Sequence, residues 1–169
     1  MDDLLTQMQA ILTTTADYWQ RLAQTVPAEL LARSPSSNEW SALSCLQHMI
    51  EVEQVLRSRL EAFMAGRDIP NYDPEQQGSA LPPDRTPAEV VAEFNRLRRE
   101  NLAALAHLQP ADLERQARHE ELGLVTLRQM LNHWPLHDLN HTMQAKRALM
   151  QNFIHGCGPW RAYYQEHLM

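Results

Sequence analysis

The sequence predicts an all-α fold, and three observations carry that reading. Apolar residues recur at threes and fours along four long stretches. The five glycines are outnumbered by ten prolines, which cluster between those stretches as loop punctuation. Strand-type alternation is absent over any useful length. At 169 residues one domain, 1–169, is expected. A core of that size buries roughly 70 % of the unfolded surface, so the fold needs neither disulfides nor a structural metal, and any metal present serves function.

The first helix is expected from Asp3 to Thr25, with Leu4, Met8, Ile11, Thr15, Tyr18 and Leu22 as its buried stripe. Pro27 and Ser34-Pro35-Ser36-Ser37 end it, around a short helical turn. The second begins near Trp40-Ser41 and reaches Ala65, its stripe running through Leu46, Met49, Val52, Leu56, Leu60 and Phe63, with Gly66 as the stop. From Arg67 to Arg85 no period appears, but Pro70, Pro74, Pro82 and Pro83 do, and a loop this long crosses a bundle or lies over a site. Thr86-Pro87-Ala88-Glu89 is a capping box with proline at the first helical position, and it opens a third helix to His107 whose core face holds Val90, Phe94, Leu97 and Leu105. A short turn follows at Pro110. A second capping box, Thr126-Leu127-Arg128-Gln129, starts a fourth helix reaching Met150, with a bend expected at Pro135. Gly158 to Tyr164 reads as a short amphipathic helix.

Composition narrows the function. Fifteen Lys+Arg against 21 Asp+Glu give a formal charge of −6, and without a basic stripe nucleic acid is not an expected partner. No apolar run approaches the roughly 18 residues that span a bilayer, so no membrane association is expected. Met1-Asp2-Asp3 lacks the basic start of a secretory signal. A cytoplasmic location is therefore expected, with Cys45 and Cys157 as reduced thiols.

Of the eight histidines, His107, His119, His155 and His167 fall in expected loops or termini and read as solvated. The informative pair lies on the fourth helix, whose seam at alternating four and three steps is Met130, Trp134, His137, His141, Gln144 and Ala148. Two imidazoles in an apolar seam need a partner for their polar atoms, and a shared metal ion is the simplest one. Residues four apart on a helix have Cβ atoms roughly 5–6 Å apart, which lets His137 and His141 reach one ion at about 2.0–2.1 Å. A third ligand must come from another helix, and His48 on the second is the candidate. Hydrogen bonding of the histidines to neighbouring groups is the competing reading.

His133 lies four residues before His137 but drifts about 40° off the seam, toward the side of the stripe. Glu51 and Asp138, near the proposed ligands, are the candidates for orienting a ring or accepting a proton. Cys45 reads as a small apolar filler, with a thiolate ligand as the alternative. Trp134 and Gln144 share the seam and are the candidates for lining a cofactor pocket. Trp40 is expected in the core or the pocket wall.

These residues resemble the DinB/YfiT-like family of metal-dependent enzymes. Trp40-Ser41 followed by His48 is similar to the family's second-helix motif, and His137-Asp138-Leu139-Asn140-His141-Thr142-Met143-Gln144 resembles its HDxxHxxQ motif. Leu127 to Trp134 and Gly158-Pro159-Trp160-Arg161 are similar to one subgroup, so the likeness touches nearly the whole chain. The resemblance implies a four-helix bundle with up-down-down-up topology, commonly a homodimer. It also implies that His48, His137 and His141 form a triad for a divalent ion, zinc or nickel first, with manganese and iron as further candidates. Relatives include S-transferases that use a low-molecular-weight thiol such as bacillithiol or mycothiol.

The leading expectation is thus a metal-dependent transferase or hydrolase in which an open three-His site activates a small thiol or water against a small-molecule electrophile. A non-catalytic metal or ligand-binding module, or a structural helical dimer, is the alternative.

Overall fold

A computed structural model describes residues 3–69, 71–72 and 85–168. Four long helices carry the fold: α1 (Asp3–Thr25), α3 (Ala42–Met64), α4 (Pro87–Leu105) and α5 (Leu127–Ile154), with a single turn of helix, α2 (Ala28–Leu31), after the first. Their starts are chemically marked. The Ser41 hydroxyl accepts from the Ser44 N–H at 3.0 Å, and Thr86 with Glu89 and Thr126 with Gln129 form reciprocal capping boxes that satisfy otherwise orphaned donors. Helix α3 ends in a Schellman motif. Gly66 takes a φ of +63°, which a Cβ would disfavour, and the Arg67 N–H returns to the Ala62 carbonyl at 2.9 Å.

Directions follow from the contacts. Thr15 and Tyr18 of α1 meet Asp138 and Lys146 of α5 in the same order, so these helices run parallel. Thr15 and Gln20 meet Arg98 and Asn95, so α4 runs against α1. His48 and Glu53 meet His137 and Trp134, so α3 runs against α5. The bundle is therefore up-down-down-up, as the resemblance implied. Both α1 and α3 pack chiefly against α4 and α5, which places α1 diagonally across from α3, and α4 across from α5.

Several expected details are corrected. A two-stranded antiparallel hairpin, β1 (Gln116–His119) and β2 (Gly123–Thr126), precedes α5 where no strand was expected; its strands are too short to show a period. On α1 the buried line is Met8, Leu12, Thr15 and Trp19, one residue round from Ile11 and Tyr18. On α4 the core position falls on Arg98 and not Leu97. On α5 it falls on Trp134, Asp138, Thr142 and Ala145, leaving His137 and His141 half-buried at the edge of the seam. Helix α5 continues through Pro135 to Ile154, and α4 stops at Leu105. The terminal segment Gly158–His167 is a 3-10 helix with no buried residue. Most of the expected loop from Arg67 to Arg85 lies outside the described residues. Among the described residues, no helix is long and apolar enough to cross a membrane.

The core is divided in two. Met8, Leu12, Leu56, Leu105 and Trp134 belong to one apolar cluster, and Trp19, Met49, Phe94 and Ala145 to the other. Between these levels, every long helix contributes a buried polar side chain: Thr15, Glu53, Arg98 with Asn101, and Asp138. The Arg98 guanidinium donates to Asp138 Oδ2 and Oδ1 at 2.7 and 2.9 Å, to Glu53 Oε1 at 2.8 Å and to the Leu12 carbonyl at 2.9 Å. Trp134 Nε1 and Asn101 Nδ2 donate to the two Glu53 oxygens at 2.9 Å each, and Thr15 donates to Asp138. Burial pulls the Arg98 pKa down, but Asp138 and Glu53 outweigh it and hold the guanidinium above its ordinary value. Such a network is costly to break, because removing one partner strands the other charge without water.

Candidate metal centre

Helix α3 presents His48 and α5 presents His137 and His141 to one another at the seam between these helices. One ligand atom from each of the three lies within 4.8 Å of the others. His48 Nε2 and His137 Nε2 are 3.2 Å apart. Two nitrogens bound tetrahedrally at 2.0–2.1 Å stand about 3.4 Å apart, so this pair already has the spacing that a shared ion requires. The four-residue step from His137 to His141 supplies the second α5 ligand from the same helix face.

The imidazoles are neutral at pH 7, the form in which histidine coordinates a metal. Burial, and then the neighbouring His141, push His48 down to about 4. Burial and the surrounding imidazoles push His137 down to about 3. His141 is lowered by burial, against the opposing effects of Gln144 and Asp138. His137 Nδ1 is buried with no hydrogen-bond partner, an unsatisfied atom of the kind that calls for a functional explanation. Three neutral nitrogen donors, two of them aimed at each other, suit a borderline cation such as zinc or nickel.

Neighbouring groups orient these rings. His141 Nδ1 donates to Gln144 Oε1 at 2.8 Å, which leaves Nε2 with its lone pair for coordination. Gln144 therefore orients a ring, where a pocket-lining role was expected. Glu51 Oε2 lies 4.0 Å from His48 Nδ1 and accepts a hydrogen bond from the Tyr72 hydroxyl at 3.3 Å. Burial and the Glu51 carboxylate push Tyr72 up to about 12, so it remains a donor. The Trp40 ring, just before the α3 cap, stacks on His141 at 5.8 Å and lies 5.0 Å from His48, forming a wall of the site.

Other candidates lie elsewhere. Asp138 is fully buried and turned into the polar layer, because one helical step from His137 rotates its side chain by about 100°. Both of its oxygens accept hydrogen bonds from Arg98. Trp134 is also fully buried and donates to Glu53, so it belongs to the core and not to a cofactor pocket. Cys45 is buried in the second apolar cluster, and burial pushes its thiol up to about 12, far from a thiolate ligand. His133 is outside the cluster, with its ring 5.8 Å from that of His137.

Glu53, Arg98 and Tyr72 were not singled out from the sequence. Glu53 and Arg98 leave a signal there, since charged residues stand on the apolar lines between Met49 and Leu56 and between Phe94 and Leu105. Tyr72 sits in the aperiodic stretch and leaves none.

Among the described residues, no fourth side chain joins the cluster. A three-His set of this kind leaves coordination positions for water or a substrate atom.

The comparisons with known proteins agree with the fold. The family model of the DinB superfamily matches residues 11–145. The fold is similar to that of YfiT from Bacillus subtilis, described as a probable metal-dependent hydrolase with an unusual four-helix bundle topology. The TM-score is 0.77 at 16% identity, over 90% of this chain and 89% of that one. A DinB-like protein from Bacillus subtilis, YjoA, matches with a TM-score of 0.59 at 14% identity, over 86% of this chain and 91% of that one. No curated protein matches the chain.

Proposed function

The chain belongs to the DinB superfamily, and from that premise we propose that it is a metal-dependent enzyme of hydrolase type. His48, His137 and His141 would hold the ion, with zinc or nickel as the first candidates and manganese or iron after them. The observation that carries the reading is the convergence of three neutral imidazoles from two helices beside the Glu51 carboxylate. YfiT, which shares the fold, is described as a probable metal-dependent hydrolase.

When bound, a divalent ion supplies Lewis acidity that makes a water or thiol nucleophilic near neutral pH. Glu51 stands where it can accept the released proton on a carboxylate oxygen. Tyr72 holds that carboxylate in place through its hydroxyl. Gln144 keeps His141 in the coordinating tautomer, and Trp40 screens one side of the site from water. The electrophile would be a small ester or amide. A low-molecular-weight thiol is the alternative nucleophile for the same site, with a small electrophilic acceptor, in which case the reaction is S-transfer.

The test is elemental analysis of untagged protein, followed by assays of the metal-loaded form against ester and amide panels, and against thiol plus electrophile. Near-stoichiometric metal with turnover that Glu51→Gln abolishes, while metal stays bound, supports the enzyme reading. Protein that takes up no zinc, nickel, manganese or iron when offered them overturns it. Bound metal with no turnover on any panel would leave a binding module, and turnover indifferent to Glu51→Gln would remove Glu51 from the reaction.

A further inference from the structure

Beside the histidine cluster lies a cavity of about 260 Å³, between α3, α5 and the hairpin. Its polar side is formed by Arg59, His119 and His133, and its apolar side by Ile69, Val125 and Met130. His133 is common ground: it lines this cavity and stands ring to ring with His137 at 5.8 Å. Arg59 is eleven residues, or about three helical turns, beyond His48, so both project from the same face of α3.

Arg59 is unusual among the arginines of this protein. Most of the others have a carboxylate within salt-bridge reach or lie in solvent. Arg59 Nε, like Arg98 Nε, is buried with no hydrogen-bond partner, and Arg59 Nη2 lies 3.4 Å from His119 Nε2. The surroundings hold this geometry. The Ile69 N–H donates to the Arg118 carbonyl at 2.9 Å, which straps the chain after α3 to β1 and brings His119 over Arg59. Glu121, exposed at the hairpin turn, also lines the cavity, and with Tyr72 it acts on Arg59 from a distance against the burial that lowers its pKa.

We infer that this cavity is a binding site for a monocarboxylate with a compact apolar body. A guanidinium presents parallel N–H groups that match a planar carboxylate, and the buried Nε gains the acceptor it lacks. The apolar wall and the small volume suit a ring or branched chain. One guanidinium, offset in part by Glu121, with a His133 imidazole that burial keeps toward its neutral form, matches a single negative charge better than a doubly charged phosphate. That the carboxylate belongs to the substrate rests on the enzyme reading above; that the cavity binds it does not.

The experiment is a titration of metal-free protein with benzoate, followed by calorimetry and by the Arg Nε–Hε signals in nuclear magnetic resonance, with benzamide and inorganic phosphate as controls. Saturable benzoate binding is expected, with benzamide and phosphate each weaker by about tenfold or more. Arg59→Gln should weaken benzoate about tenfold, Arg59→Lys should weaken it less, and His48→Ala should leave it unchanged. Circular dichroism shows that each variant is folded. Equal affinity in folded Arg59→Gln, phosphate binding as tight as benzoate, or no saturation in the wild type would each overturn the assignment. Benzoate binding that appears only with metal, or is lost in His48→Ala, would move the anion to the histidine centre and overturn it too. Metal content is read separately, so failure here leaves the enzyme reading standing, and failure of that reading leaves the titration interpretable.

Discussion

Arg98 grips both oxygens of Asp138, at 2.7 and 2.9 Å, one residue along α5 from His137. The α5 backbone at the centre of the histidine cluster is thereby tied to α4, and through Glu53 to α3. Replacing Arg98 by Met strands two buried carboxylates and should destabilise the protein by about 3–5 kcal/mol. Urea denaturation measures this, and the double variant Arg98→Met with Asp138→Asn should recover part of the loss. A change under about 1 kcal/mol in the single variant would show that the network is not holding the bundle together.

Metal retention should depend on each histidine of the triad. His48→Ala, His137→Ala and His141→Ala should each lower metal content by more than half after desalting, whereas His133→Ala should not. A chelator should lower the melting temperature of wild-type protein, because a ligand bound only to the folded state stabilises it by mass action. If His133→Ala loses as much metal as the others, the ligand set is wrong.

Gln144 supplies the hydrogen bond that fixes the His141 tautomer. Partners of this kind are typically worth about 10–100-fold in metal affinity. Gln144→Ala should therefore weaken zinc binding by about tenfold in a competition assay with a chromophoric chelator, with little change in folding. Gln144→Glu, which keeps an acceptor, should recover most of that affinity.

Acid should act on metal-free protein through the histidines. His48 and His137 have folded pKa values of about 4 and about 3, below the ordinary value of 6.5. Between those limits the unfolded chain binds more protons, so stability falls as pH drops from about 6.5 toward 3. Denaturant midpoints measured across that range should decline, and His137→Gln should flatten the slope. An unchanged slope in that variant would assign the acid sensitivity to other groups.

How far the sequence could be read depended on what each signal reports. Caps are local chemistry, so Thr86 with Glu89 and Thr126 with Gln129 marked two helix starts correctly. The pair His137 and His141 was legible because spacing along one helix is set by geometry within that helix. Asp138 was misplaced because a period of 3.6 residues drifts across a long seam, and nothing local says whether the histidine or its neighbour faces inward. Arg98 and Glu53 satisfy each other only across the bundle, so each looks like a solvated charge when taken alone. The hairpin strands, four residues each, are too short for alternation to rise above chance.

The diagonal placement of α1 and α3 bears on the order in which the chain can assemble. As a helix, α1 packs chiefly on α4 and α5, which are made later. During synthesis the first helix therefore emerges with its apolar face unmatched until the last long helix follows. A fragment ending before Pro87 lacks both helices on which α1 chiefly packs. The topology that brings His48 against His137 thus makes folding wait on the C-terminal half, with long-range closure as its slow step.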